Sequence, residues 1–202
     1  MSRLAQLRAK LRRAVAKIAA IRKRNQRRRR AIKRLEAEHG ATVMFDSVDL
    51  SQIPENAPAV AGYVGGAWPT FNQLRARFPH AYRLSIAVSA SEDAVCLDVE
   101  PGDAELGQVV SWINAQRARS VKRPVIYSSA SGMDAVVRAL SDAGIGRESV
   151  RLWSAHYTFS PHLCGPHSCG EVRSTTVDAT QWTDKALGRN LDQSLVAKGF
   201  FG

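Results

Sequence analysis

Hydrophobic positions along this chain follow two regimes that meet near residue 40. In the first, positions 4, 11, 18, 25 and 32 are Leu, Leu, Ile, Asn and Ile, and positions 7, 14, 21, 28 and 35 are Leu, Ala, Ile, Arg and Leu. Five repeats of this 3–4 spacing predict one long amphipathic helix of coiled-coil character, interrupted at Asn25 and Arg28. No proline occurs in the segment, and its first glycine, Gly40, is a fitting helix stop. Beyond Gly40, short apolar runs alternate with helical patterns. Strands are predicted near 43–48, 59–64, 84–88, 94–99, 124–127, 150–155 and 176–181, and helices near 70–78, 103–119 and 132–143. In the second of these helices Asp103 is a plausible N-cap, with Leu106, Val109, Val110 and Ile113 on one buried face.

Nearly continuous apolar strands alternating with helices imply a parallel α/β sheet. About eight strands within residues 41–202 predict a small or incomplete (β/α) barrel rather than an open nucleotide-binding sheet. No G-x-G-x-x-G follows the first strand, and no G-x-x-x-x-G-K-[ST] occurs anywhere. The predicted organisation is a helical arm over 1–40 and a barrel domain over 41–202.

Charge sharpens that division. The net charge of +11 looks like that of a nucleic-acid binder until it is split by position. Residues 1–40 hold 15 Lys/Arg against 2 Asp/Glu, a balance of +13, while residues 41–202 hold 14 against 16, a balance of −2. The basic arm therefore calls for an anionic partner: an acidic lipid surface, an anionic wall polymer, nucleic acid or an acidic helix. A solvated helix without a dedicated partner fits the pattern equally well. Asn25 at a core heptad position favours a register-locked parallel pair, whereas Arg8, Lys10, Lys17, Arg22, Arg24 and Arg29 would set like charges against each other in a homodimer. Arg27-Arg28-Arg29-Arg30 has no interleaved aromatics, so base stacking is not indicated. No apolar run approaches the ~18 residues of a membrane span. The most apolar part of the arm is broken by Lys17 and lacks a cleavage-type ending, which predicts no signal peptide.

The chemistry-bearing residues gather at predicted strand ends. The run Val95–Val99 closes with Asp98 and Glu100, two carboxylates with one residue between them, before Pro101-Gly102 breaks the strand. Residues two apart on a strand face the same side, roughly 6–7 Å apart at their roots. Two such acids resist ionising together, which lets one remain a proton donor near neutrality. Other strand ends carry Asp46, Tyr63, Tyr127-Ser128, Trp153, His156-Tyr157 and Gln181-Trp182. Barrel sites are built at the C-terminal ends of strands, and carboxylates with aromatic faces at one rim describe a sugar-binding cleft.

Four segments carry a resemblance: Asp98-Val99-Glu100, Pro124 to Ser129 (P-V-I-Y-S-S), Leu152 to Tyr157 (L-W-S-A-H-Y), and Ala179 to Asp184 (A-T-Q-W-T-D) followed by Asn190-Leu191-Asp192. Together, in this order, they resemble glycoside hydrolase family 25, the lysozyme (N-acetylmuramidase) barrels common in phage lysins. The resemblance covers about residues 43–196. It implies a (β/α)5(β)3 barrel that cleaves the β-1,4 bond between N-acetylmuramic acid and N-acetylglucosamine, with no metal and no cofactor. By position it makes Glu100 the general acid and Asp98 its supporting partner. Asp192 or Asp184 would be the late-strand acid, and a first-strand aspartate would complete the floor. For that last role the family's D-V-S pattern matches Asp49-Leu50-Ser51, whereas the apolar run before Asp46 makes Asp46 the better strand end. Tyr63, Tyr127, Trp153, His156, Tyr157, Gln181, Trp182 and Asp184 would contact the glycan. The domain is short for the family, which predicts missing helices and a more open cleft. A barrel of this kind without turnover, docking glycan or serving a phage particle, is the alternative. The expected workplace is the bacterial wall, reached after release from the cytoplasm or as part of a particle.

A last cluster lies at 162–169, where His162, Cys164, His167 and Cys169 share eight residues. A Cys164–Cys169 disulfide across the Gly165-Pro166 turn, free surface thiols, and a zinc site are the three readings. Zinc is disfavoured because finger ligands usually come in pairs from separated segments. Cys96, inside an apolar strand, reads as an inert core thiol.

Overall fold

The computed structural model describes residues 3–202. Helix α1 spans Arg3–His39, about 55 Å at the α-helical rise, built from Ala, Leu, Arg and Lys, all strong helix formers. Gly40 ends it with a positive φ of 59°, and its N–H donates to the Glu36 carbonyl at 2.9 Å.

The rest of the chain winds into a barrel. In order it contains β1 (Thr42–Asp46), β2 (Ala59–Tyr63), α2 (Phe71–Arg77), β3 (Tyr82–Ala87), β4 (Cys96–Asp98) and α3 (Val109–Ala118). It continues through β5 (Val125–Ser129), α4 (Ala130–Asp142), β6 (Arg151–Ala155), β7 (Ala179–Thr183) and β8 (Asp192–Val196). Strands β1 to β7 are parallel neighbours in sequence order, and β8 closes the barrel antiparallel to both β7 and β1. The sheet is thus complete, while its helical cover is reduced: α2, α3 and α4 follow β2, β4 and β5, and 3-10 turns or irregular loops serve elsewhere.

Two apolar layers hold this shape. Inside the barrel, Met44, Ala61, Leu84, Ile86, Cys96, Val125 and Trp153 fill the interior. Outside it, α3 and α4 lay Trp112, Ile113, Met133, Val136 and Leu140 on Leu97, Ile126 and Leu152 of the strands. Because successive strand residues face opposite sides, Cys96 and Leu97 belong to different layers. Cys96 is buried with a free thiol, as its apolar setting predicts.

Three elements differ from the sequence expectation. The predicted strand at 176–181 lies later, at β7, and β8 was not anticipated as a strand because Asp192-Gln193-Ser194 is polar. Gln193 and Ser194 are nonetheless buried, and Asp192 is half-buried. Helix α3 starts later than expected. Glu105, not Asp103, forms the capping box, with Gln108, around a 3-10 turn over Leu106–Gln108, and Leu106 is exposed rather than packed.

The heptad row on α1 divides. Leu4, Leu7, Leu11, Ile18 and Ile21 are exposed. Further along, Ile32 and Leu35 pack against Ala41, Trp182 and Leu195 of the barrel. The residues that interrupt the heptads stand at this junction. Arg28 Nε donates to the Phe159 carbonyl at 2.8 Å, its guanidinium lies 5.3 Å from the Trp182 ring centroid, and Asn25 shares the same crevice.

Candidate active site

The C-terminal ends of β1, β2, β4, β5, β6 and β7 meet the start of β8 at one mouth. Asp46, the last residue of β1, sits directly opposite Asp192, the first residue of β8, because that pair runs antiparallel. Asp98 ends β4 opposite Tyr127 of β5, and Tyr127 pairs in turn with Trp153 of β6. These side chains border a cavity of about 140 Å³ lined by Asp46, Tyr63, Ile86, Asp98, Glu100, Tyr127, Trp153, Tyr157, Gln181 and Asp192. Nine of the ten are residues singled out in the sequence, and only Ile86 was not.

Hydrogen bonds order the wall. The Tyr127 hydroxyl donates to Gln181 Oε1 at 2.5 Å, and the Tyr157 hydroxyl reaches the same oxygen at 3.3 Å. Gln181 Nε2 in turn donates to Asp46 Oδ1 at 3.5 Å. The Trp153 indole N–H donates to Ser194 Oγ beneath, and its ring lies 4.6 Å from that of Tyr127. An amide held from both sides keeps two phenol rings at fixed angles, a rigid apolar surface with polar tips.

All four acids hold their protons more tightly than usual. Burial lifts Asp98 to about 8, with the nearby charges of Glu100 and Asp103 adding to it and the Tyr63 hydroxyl partly offsetting it. Burial raises Asp192 to about 6, against the stabilising contact with Asp46. Asp46 itself rises well above the carboxylate range because it is fully buried and faces Asp192. The two behave as a carboxyl pair sharing a proton, with Asp192 the more acidic partner. Glu100 is raised by burial and then by Asp103. At neutral pH the mouth therefore presents Asp98 mainly neutral and Asp192 mainly ionised, with Asp46 and Glu100 both shifted toward their protonated forms. Among the described residues, Asp98 Oδ1 is buried without a hydrogen-bond partner, an atom left for a ligand to satisfy.

Glu100 also borders a wider groove of about 710 Å³ that runs between the Pro101–Leu106 loop and the start of α4, past Ser128, Ser129 and Gly132. Ser128 is engaged structurally, donating to the Val99 carbonyl at 2.9 Å. Asp103 lines this groove. The sequence reading made it a helix cap; its position three residues beyond Glu100 in an acid-rich loop was the available signal of a site role.

Three expectations are corrected. Trp182 is not in the cleft. It is adjacent to Gln181, so it faces the other side of β7, where a bulge against β8 and the packing of Ile32 and Leu35 bury it under α1. His156 turns away to pair with His162, Nδ1 to Nε2 at 3.0 Å, for the same reason of alternation beside Tyr157. Asp184 lies past the end of β7, 3.5 Å from Lys185, outside the cavity. Of the two candidates for the first-strand acid, Asp46, the one the apolar run favours, lines the cavity, whereas Asp49 caps the 3-10 turn Leu50–Gln52 by accepting from Ser51 N at 2.9 Å. Cys164 and Cys169 form a disulfide, while His167 is exposed. No protein-family model, curated protein or solved structure matches this chain.

Proposed function

We propose that this chain is a peptidoglycan glycosidase, a lysozyme-type muramidase on a barrel of the (β/α)5(β)3 type, acting on the β-1,4 bond between N-acetylmuramic acid and N-acetylglucosamine. One observation carries the reading. Four buried or half-buried carboxyl groups border a single aromatic-walled cavity, and one of them, Glu100, also borders an open groove wide enough for a ligand. A glycan lying in the groove sets a linkage beside Glu100, which protonates the leaving oxygen. The Asp98 carboxyl oxygen accepts from the substrate's N-acetyl N–H, which strengthens that group's carbonyl oxygen as it supports the cationic carbon, and Asp192 supplies negative charge to the oxocarbenium-like transition state. The resemblance to family 25 implies net retention. Tyr63, Tyr127, Tyr157 and Trp153 give the sugar an apolar wall.

Release of reducing ends from purified peptidoglycan tests the proposal. Glu100→Gln should lower the rate by about 10²–10⁴-fold with an unchanged unfolding transition. A wild-type chain that releases none would end it. A second reading, glycan docking without turnover, is favoured by the size of the inner cavity, below the roughly 300–1,000 Å³ of ordinary ligand sites. It predicts equal binding of peptidoglycan by wild type and Glu100→Gln with no product from either.

The arm supplies attachment. Residues 3–24 carry nine cations and no acid beside the exposed Leu and Ile row, suiting an anionic partner such as envelope lipid, wall polymer, nucleic acid or an acidic phage component. Helix-mediated pairing is opposed by those like charges. Work at the cell wall, as a lysin or on a virion, follows from this reading.

A further inference from the structure

The loop that leaves β6 gathers a second set of chemically capable groups, on the far side of Tyr157 from the cavity. His156, at the end of β6, and His162, Cys164 and Cys169, from the following loop, bring four ligand atoms within 4.8 Å of one another. We infer that this loop is a redox-gated zinc site: in the reduced chain these two imidazoles and two thiolates bind one Zn²⁺, and in the oxidised chain the Cys164–Cys169 disulfide replaces the metal.

The distances already suit the ion. A tetrahedral zinc with ordinary bond lengths separates two nitrogens by about 3.3 Å and a nitrogen from a sulfur by about 3.6 Å. His156 Nδ1 lies 3.0 Å from His162 Nε2 and 3.6 Å from Cys164 Sγ. The sulfurs must separate, which breaking their bond permits. The orientation of His162 is set from behind. Its Nδ1 lies 2.8 Å from the Ser160 carbonyl, which can only accept, so Nδ1 carries the proton and the Nε2 lone pair faces His156. A metal-bound histidine is usually held in this way by a carbonyl on its other nitrogen. The ligands come from a strand end and from a loop, which removes the sequence-based objection that all four would sit in one short segment. His156 takes the place that spacing alone offered to the exposed His167.

The two states interconvert with a full balance. A dithiol reductant of the thioredoxin class gives two electrons and two protons to the disulfide and is itself oxidised to a disulfide. Zinc then displaces the two thiol protons, and His156 passes its proton from Nδ1 to Nε2. Because the bridge closes a loop over a separation of only five residues, reduction frees the loop and leaves the barrel strands paired.

The test uses the full chain carrying Glu100→Gln, so that metal binding is read apart from any wall hydrolysis. The chain is reduced with a phosphine under argon and titrated with Co²⁺, and Zn²⁺ is then counted after desalting. One metal per chain is expected, with the intense visible bands of tetrahedral cobalt and thiolate-to-cobalt charge transfer. The oxidised chain should bind none. His156→Ala and His162→Ala should each abolish the tetrahedral spectrum, and His167→Ala should keep it. Circular dichroism of each reduced sample should show the barrel fold retained. A reduced chain that takes up no metal, whether folded or not, overturns it, as does uptake indifferent to His156.

Discussion

Asp98 keeps its proton to about pH 8 in the folded chain, against 3.8 in the unfolded one. The stabilisation that this neutral form gives is complete below about pH 3.8 and is lost as pH rises through about 8. Wild-type unfolding free energy, measured in urea, should therefore fall between pH 5 and pH 8, by up to about 1.4 kcal/mol per pH unit for each such acid. Asp98→Asn, which cannot ionise, should flatten that slope; an unchanged slope would assign the effect elsewhere. Asp103 raises the affinity of Glu100 for its proton, so Asp103→Asn should shift the alkaline limb of the peptidoglycan rate profile to lower pH. Gln181 bridges Tyr127, Tyr157 and Asp46, and Gln181→Leu should cost about 1–3 kcal/mol by leaving those groups unmatched. The acids at 98 and 100 were legible in the sequence because strand spacing alone puts them on one side. Gln181 and Trp182 were not separable there: alternation says that one faces the cavity, but the bulge that decides which is a property of the pairing with β8.

Helix α1 has an exposed half and a docked half, and they should respond differently to change. Trp182 is buried beneath Ile32, Leu35 and the Arg28 guanidinium, so Trp182→Ala should destabilise the chain by about 3–5 kcal/mol. Deleting residues 1–21 should leave the urea midpoint of the barrel unchanged, since Leu4 to Ile21 bury nothing in it. A midpoint that drops would mean that this half packs on the barrel in solution. The 3–4 repeat made the helix and its end at Gly40 legible, because propensity and spacing are local. It did not reveal that Asn25 and Arg28, which look like faults in a coiled-coil seam, are the contact with the barrel. That contact joins α1 to Phe159 and Trp182, far along the chain, and no periodicity encodes it.

The whole molecule is electrically lopsided, with +13 on the arm and −2 on the rest. Adsorption of the full chain to anionic vesicles should weaken as ionic strength rises from about 0.1 M to about 1 M, where the Debye length falls from about 10 Å to about 3 Å. The chain lacking 1–21 should adsorb less at every salt concentration. Alternating strands and helices made the α/β class legible at this scale, but closure was not, because β8 is polar in sequence and buried only through its two antiparallel partners. That closing strand has a temporal consequence. Asp46 leaves the ribosome with the first strand and Asp192 with the last, yet the two face each other across one pairing. A nascent chain therefore has no finished mouth until β8 docks, and whatever chemistry the acids perform stays silent until that strand has been made.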